Sequence, residues 1–278
     1  MRVGGPPDVS AGRLQAGEVR AMFDRIAGVY DVLNSAMTAG LHHRWRRRAA
    51  ELARVGPGSR VLDVATGTGD LAIELARHVA PGGEVLGADF SEAMLDRARR
   101  KAAALRVTDG VRPRFEWADA LALPYPDDRF DAATVGFGVR NFEDLAAGLA
   151  EMVRVVRPGG RVVVLEMTAP TRPPLSVFFA LWFDRVVPLL GRLTGALAVL
   201  RGAGDTARGG SIADAYSYLP SSVKRFPGPR ALAGELARAG LSQISYVLTA
   251  GGIVAIHAGT VAGGVAAGTA AEGGGGSS

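Results

Sequence analysis

Four carboxylates, Asp63, Asp70, Asp89 and Asp119, fall at or beside the ends of short apolar segments. The first two lie within a glycine-broken run, VLDVATGTGDLA at 61–72, that passes from an apolar strand into the start of a helix. Gly67, Gly69 and Ala72 satisfy the loose dinucleotide fingerprint G-x-G-x-x-G/A. A dinucleotide would bring its pyrophosphate to this bend, and like charges about 4 Å apart repel by roughly 4 kcal/mol at an effective dielectric of about 20. S-adenosylmethionine carries a sulfonium and an ammonium and no phosphate, so the same carboxylates attract it. The glycines then let backbone approach the ligand with no side chain between. The acid-flanked loop therefore favours S-adenosylmethionine. Asp89, ending the second strand, suits acceptance of hydrogen bonds from ribose hydroxyls, a role that nicotinamide enzymes share. Asp119 and Ala120 are placed to meet the adenine edge. Taken singly, Asp70 is also explained as a favourable charge at a helix N-terminus, and Asp119 as a loop residue.

These acids converge only if strand ends deliver them to one crevice. RVLDVA and EVLGAD read as strands, and DLAIELARHVA as a helix through Leu71, Leu75 and Val79. SEAMLDRARRKAAAL is a helix with Ser91 as its N-cap. RPRFEWAD and FDAATVGFG supply strands three and four. DLAAGLAEMVRVV carries Leu145, Leu149, Met152, Val153 and Val156 on one helical face, and Pro158-Gly159-Gly160 stops it before a fifth strand, RVVVLEM. Such alternation requires a parallel sheet covered on both faces, a doubly wound α/β fold. PRALAGELARAG is a further helix, and SQISYVLT and GIVAIHAG form an antiparallel hairpin at the sheet edge.

The expected organisation is one domain over 18–258. Its N-terminal helical cap, 18–55, has Val19, Met22, Phe23 and Ile26 on one face, and a helical and loop lid occupies 174–226. Residues 1–17 and the low-complexity tail 259–278 are expected to be disordered, and 201–211 to be a flexible loop. The segment 174–200 is unusually apolar, but Asp184, Arg185, Pro188 and Arg192 interrupt it, short of the roughly 20 residues a bilayer span needs. It is either a core helix with a broken continuation or an apolar lid that meets a membrane or a lipid substrate.

Composition narrows the chemistry. The 278 residues, 48% hydrophobic, suffice for a sizeable core, and cysteine is absent. That excludes disulfides, thiolate metal sites and cysteine nucleophiles, those of the pyrimidine methyltransferases included. No metal is implied. No apolar leader follows the N-terminus, which points to a cytoplasmic location. A net charge of +5 favours anionic partners mildly. HHRWRRR at 42–48 is either a solvated basic helix face or a phosphate or lipid-headgroup contact.

The chain resembles the class I methyltransferases, and among them the family that C-methylates the quinone ring in menaquinone and ubiquinone biosynthesis. The stretches that carry the likeness include FDRIAGVYDVLN (23–34), LHHRWRRRA (41–49), VLDVATGTGDLA (61–72) and GADFSEAMLDRAR (87–99). They continue through ADALALPYPDDRFDAATVGFGVRNFED (118–144), RVVRPGGRVVVLEM (154–167), DAYSYLPSSVKRFP (214–227) and LTAGGIVAIHAG (248–259). The resemblance implies a Rossmann-like sheet of seven strands. It also implies cofactor contacts at Thr68, Asp89, Asp119, Ala120 and Gly136, with Gly67 and Gly69 around them. With Asp63, Thr66 and Phe90 these form the candidate cofactor set. The implied acceptor is a polyprenylated quinol, with demethylmenaquinol foremost, which suits an enzyme working peripherally at an anionic membrane surface. The loop at 201–211 and the C-terminal tail depart from the family pattern.

An aromatic carbon is a poor nucleophile until a ring hydroxyl loses its proton, near pH 10 for an unperturbed phenol. Arg140, after the fourth strand, is the candidate cation for a phenolate-like oxygen, and Asn141 the candidate to orient the ring or a water. Arg140 taken alone also reads as a surface arginine. Tyr30, His43, Asp31 and His257 can each do acid–base chemistry; Tyr30 joins Arg140 and Asn141 in the candidate catalytic set. A nucleic-acid methyltransferase is disfavoured because no Asn/Asp-Pro-Pro-Tyr motif occurs. An NAD-dependent dehydrogenase is disfavoured by Asp63, Asp70 and the lack of a second domain. A silent binding protein on the same fold, and a homodimer through the apolar lid, stay open.

Overall fold

A computed structural model describes residues 16–27, 30–38, 40–105, 110–170, 173, 175–181, 185, 218 and 220–263. Most of the expected lid at 174–226, with the loop at 201–211, lies outside the described residues, as do 1–15 and 264–278.

A seven-stranded sheet runs in the order β3-β2-β1-β4-β5-β7-β6. Its strands are β1 (Arg60–Val64), β2 (Glu84–Asp89), β3 (Arg114–Trp117), β4 (Phe130–Gly136), β5 (Val156–Met167), β6 (Leu241–Thr249) and β7 (Val254–Val261). The first five are parallel; β7 lies antiparallel between β5 and β6. The hairpin expected at the edge therefore has only β6 as its edge strand.

Helices cover both faces. On one side α3 (Leu41–Leu52), α4 (Asp70–Val79) and α5 (Glu92–Ala104) bury Ala49, Leu71, Leu75 and Leu95 against Val61, Val163 and Ile256. On the other, α6 (Leu145–Arg154) and α8 (Pro229–Arg238) bury Leu149, Met152, Leu232 and Leu236 against Leu62, Val64 and Val164. Residues 61, 62, 63 and 64 thus face alternate layers, as the two-residue period of a strand demands. Ser91 caps α5 as expected, its hydroxyl accepting from the Met94 amide. The remaining helices are α1 (Ala16–Ile26), α2 (Tyr30–Thr38) and α7 (Leu175–Leu181).

Three boundaries differ from the sequence expectation. Val156 is not on the helix: α6 ends at Arg154, and Val156 opens β5 opposite Phe130. The Pro158-Gly159-Gly160 segment is a bulge inside that strand, after which the register resumes at Ala132 and Arg161. Strand β7 runs to Val261, past the expected limit at 258, because residues 259–261 still pair with β5 and β6. Of the expected cap at 18–55, α3 belongs to the main core through Ala49, Ala50 and Ala53, so only α1 and α2 stand over the strand ends. Val19, Met22 and Ile26 are buried there, with Phe23 and Ile26 packed near Met94 of α5.

Candidate active site

The chain after β1 turns sharply to enter α4, with positive φ at Ala65, Gly67 and Gly69. The two glycines serve different ends. A Cβ at Gly69 would stand 2.7 Å from Phe115 Cζ and 3.0 Å from the Ala98 Cβ, so this glycine lets α4 pack on its neighbours. A Cβ at Gly67 would meet no atom within 4 Å, because Gly67 faces an open hollow.

That hollow lies beyond the ends of β1, β2 and β4. Its floor includes Ala65, Gly67, Asp89 and Phe90; Trp117, Asp119, Ala120 and Leu121 form one wall. Asn141, Phe142 and Glu143 form another, and Arg20, Phe23 and Tyr30 of the cap close the remaining side. Asp89 Oδ2 accepts from the Gly67 amide at 2.8 Å and Oδ1 from the Ser91 amide at 2.9 Å. Burial raises its carboxyl to about 6 against these backbone bonds, with nearby Asp24 adding repulsion. Asp119 Oδ1 accepts from the Leu121 amide at 2.9 Å, closing its own turn. The Trp117 indole, bonded through Nε1 to the Phe90 carbonyl, remains 49% exposed.

Of the expected cofactor residues, Gly67, Asp89, Phe90, Asp119 and Ala120 line the hollow; Asp63, Thr66, Thr68, Gly69 and Gly136 do not. Asp63 shares the face of Val61 and points beneath the loop. There it accepts from Thr66 Oγ1 at 2.6 Å and Thr134 Oγ1 at 2.7 Å, and burial raises its carboxyl to about 6. Asp70 is neutralised by Lys101 and by Arg46, the latter at 3.4 Å. Gly136 lies against Leu71. The expected convergence of four acids is therefore a convergence of two, Asp89 and Asp119, joined by Glu143, which sequence reasoning missed. Asp63 and Asp70 shape the loop rather than present charge to a ligand.

The expected catalytic residues divide similarly. Tyr30 and Asn141 line the hollow. Arg140, in a 3-10 turn at Val139–Asn141, sits behind them, and far from being a surface arginine its side chain is only 8% exposed. Its Nη1 donates to the Phe137 carbonyl at 2.7 Å and to Glu166 Oε1 at 2.6 Å, while its buried Nε meets no partner. Burial opposes its charge, but Glu166 and Tyr30 outweigh burial and hold its pKa above the ordinary value. Glu166, 1% exposed and following the apolar run VVVL at 162–165, is detectable as a charge out of place in a central strand. Arg140 and Asn141 also face a second cavity, with Tyr218, Ser222 and Arg225, and Tyr218 donates to Asn141 Oδ1 at 3.1 Å. His257 lines neither space; its Nε2 meets the Pro229 carbonyl at 2.8 Å.

A strand order with an antiparallel strand inserted beside β5, and a buried acid ending β2 over a glycine bend, define a class I S-adenosylmethionine-dependent methyltransferase. Solved structures show the same fold. One is an S-adenosylmethionine-dependent methyltransferase from Aquifex aeolicus, with a TM-score of 0.51 and 17% identity over 74% of this chain and 84% of that one. Another, from Thermotoga maritima, gives a TM-score of 0.53 and 17% identity over 87% and 99%.

The chain belongs to the ubiE/COQ5 methyltransferase family, whose model matches residues 12–261. It is 47% identical to the demethylmenaquinone methyltransferase of Thermus thermophilus over 86% of this chain and 99% of that protein. It is 45% identical to that of Deinococcus radiodurans over 84% and 88%. A ubiquinone/menaquinone biosynthesis C-methyltransferase from Teredinibacter turnerae is 38% identical over 89% and 93%.

The hollow fits the methyl donor this class uses. Gly67 leaves its floor clear, and the Asp89 carboxylate keeps lone pairs beyond the two that the backbone amides occupy. Its acidic residues Asp89, Asp119 and Glu143 outnumber Arg20.

Proposed function

We propose that the protein methylates a ring carbon of a polyprenylated quinol, with demethylmenaquinol as the acceptor. The observation that carries this reading is a buried cation with an unpartnered Nε, Arg140, directly behind the Asn141 wall of the donor hollow and within electrostatic reach of Tyr30. The relatives' names point to the same class of acceptor.

Bound S-adenosylmethionine supplies an electrophilic methyl on a sulfonium. Asp89 holds the ribose hydroxyls of that donor, and Asp119 with Ala120 meets its adenine. Held by Glu166, the Arg140 guanidinium raises the potential at the acceptor hydroxyl and lowers its pKa, so that the ring gains carbanion character. Asn141, fixed by the Tyr218 hydroxyl, orients the ring, and Tyr30 closes it off from water on the cap side. As the ring carbon bonds the methyl, the S–CH3 bond breaks and a neutral thioether leaves; the ring carbon's proton then moves to the ring oxygen, restoring aromaticity, and the net proton released is the one the hydroxyl lost beforehand.

The acceptor's long tail suits peripheral contact with an anionic bilayer. On α3, Arg44, Arg47 and Arg48 ring a groove that Leu41, Trp45 and Val247 line, with Leu41 and Val247 exposed at its edge. Among the described residues, no helix is long and apolar enough to cross a membrane. Incubation with labelled methyl donor and short-tailed demethylmenaquinol should give a product heavier by one methyl on the ring; an unmethylated quinol after full donor binding would refute the acceptor. Anionic liposomes should retain the protein at low salt; no retention there would remove the bilayer contact, and an equal yield on neutral liposomes would remove its preference for anionic lipid.

A further inference from the structure

The cap is fastened beside the donor hollow at two hydroxyls, and both flank the same carboxylate. Asp89 is held between the amides of Gly67 and Ser91. Thr68, next in the chain to Gly67, donates its hydroxyl to Asp31 Oδ1 of α2 at 2.6 Å. Ser91 donates its own hydroxyl to Asp24 Oδ1 of α1. None of Asp24, Asp31 and Thr68 lines the hollow, so the reaction does not use them directly.

We propose that Asp24 and Asp31 are positioning residues that lock the N-terminal helices onto the donor-binding bend, so that the cap and the bend open and close as one unit.

Asp31 is the stronger of the two fastenings. Besides Thr68 it meets Arg97 at 3.3 Å and Lys101 at 3.3 Å, both on α5. Burial works against its charge, but the Thr68 hydroxyl and these two cations outweigh burial and hold its carboxyl below the usual range. Lys101 also donates to Thr68 Oγ1 at 3.2 Å and pairs with Asp70 at the start of α4. Asp70 meets Arg46, Arg46 meets His42, and His42 pairs with Ser35 of α2 at 3.1 Å. Helix α2 is therefore held near its start through Asp31 and farther along through Ser35. The three cap residues that wall the hollow, Arg20, Phe23 and Tyr30, are carried by these same helices. Arg20 lies 3.8 Å from Asp24.

A ligand on Asp89 makes the bend more rigid, and a rigid bend presents Thr68 and Ser91 to the cap acids in one geometry. Donor binding therefore closes the wall against which the acceptor stacks. By reciprocity, weakening the cap's hold must weaken the donor.

The test uses full-length protein and S-adenosylmethionine, with affinity read by calorimetry and amide exchange read along the chain. In the parent, the donor should slow exchange at 16–38 as well as at 65–70. In Asp31→Asn, donor affinity should fall about tenfold, as expected for loss of a hydrogen bond to a charged group. The donor should then no longer protect 30–38, while its protection of 65–70 persists. Asp31→Glu should restore part of both. A merely structural acid would change exchange of the free protein without changing what the donor adds. Should Asp31→Asn not fold, Asp24→Asn and Lys101→Met read the same coupling from its other partners. Donor affinity within twofold of the parent in the folded variant, or no donor-induced protection of 16–38 in the parent, would overturn the proposal. The measurement involves no acceptor, so a wrong quinol leaves it untouched; a parent that fails to bind the donor at all speaks against the donor site instead.

Discussion

The ends of the hollow proposed above for donor and for acceptor are built by opposite strategies. At the donor end the groups come from consecutive strand ends: Gly67 after β1, Asp89 at the end of β2, Asp119 just after β3. Backbone amides hold Asp89, and the parallel register of the sheet sets its distance from its neighbours. At the acceptor end, Tyr30, Arg140, Asn141, Glu166 and Tyr218 come from four separated segments and are held by side chain on side chain. The sheet sets the first end's own groups, and the cap helices reach them through the Thr68 and Ser91 hydroxyls. The second depends on one buried ion pair, whose two partners stand 26 residues apart in the chain.

Four measurements bear on that contrast. Glu166→Ala should have the largest effect: it strands the Arg140 charge in the interior and should cost about 3–5 kcal/mol in denaturant unfolding. A loss below 1 kcal/mol would show that the acceptor end does not hang on this pair. Arg140→Ala should lower kcat by about 10²–10³ with donor affinity intact, the scale seen when one preorganised donor to a developing oxyanion is removed. Unchanged turnover would remove Arg140 from the chemistry. Gly69→Ala should destabilise by about 1–3 kcal/mol, since its methyl meets Phe115 at 2.7 Å and φ is 82°. If it instead abolishes donor binding in a stable protein, Gly69 touches the ligand after all.

The smallest effect concerns pH. Burial raises the folded Asp89 carboxyl to about 6, so it takes up a proton as pH falls through 6, well above the unfolded value near 4. The folded state binds that proton more tightly, so this group costs stability above pH 6 and the cost disappears as pH falls from 6 towards 4. Donor binding has the opposite sign, because ribose hydroxyls favour the carboxylate. Affinity should fall as pH drops below about 6, by up to about tenfold per pH unit. Asp89→Asn should flatten that dependence, whereas the similarly raised Asp63, sealed under the loop, titrates without touching the hollow.

The donor end was largely legible in the sequence because glycines and acids at strand ends are local signals. What misled was side-chain direction. Asp63 has the right position but the wrong face, fixed by its alternation with Leu62 and Val64. Asp70 has the right end of the helix, but its charge is cancelled by Lys101, 31 residues on. The acceptor end was legible only as residue types. No local pattern tells that Arg140 turns inward to Glu166, since that depends on β5 running beside β4. Val156 matches the helical spacing of its neighbours, and only its pairing with Phe130 ahead of the bulge puts it in a strand.

The partition between the two cavities is a single short turn, with Asn141, Phe142 and Glu143 showing a surface to each. A party wall of this kind cannot be thickened on one side without narrowing the room on the other. A change at Ser222 or Arg225 therefore reshapes the far chamber and leaves the common partition alone.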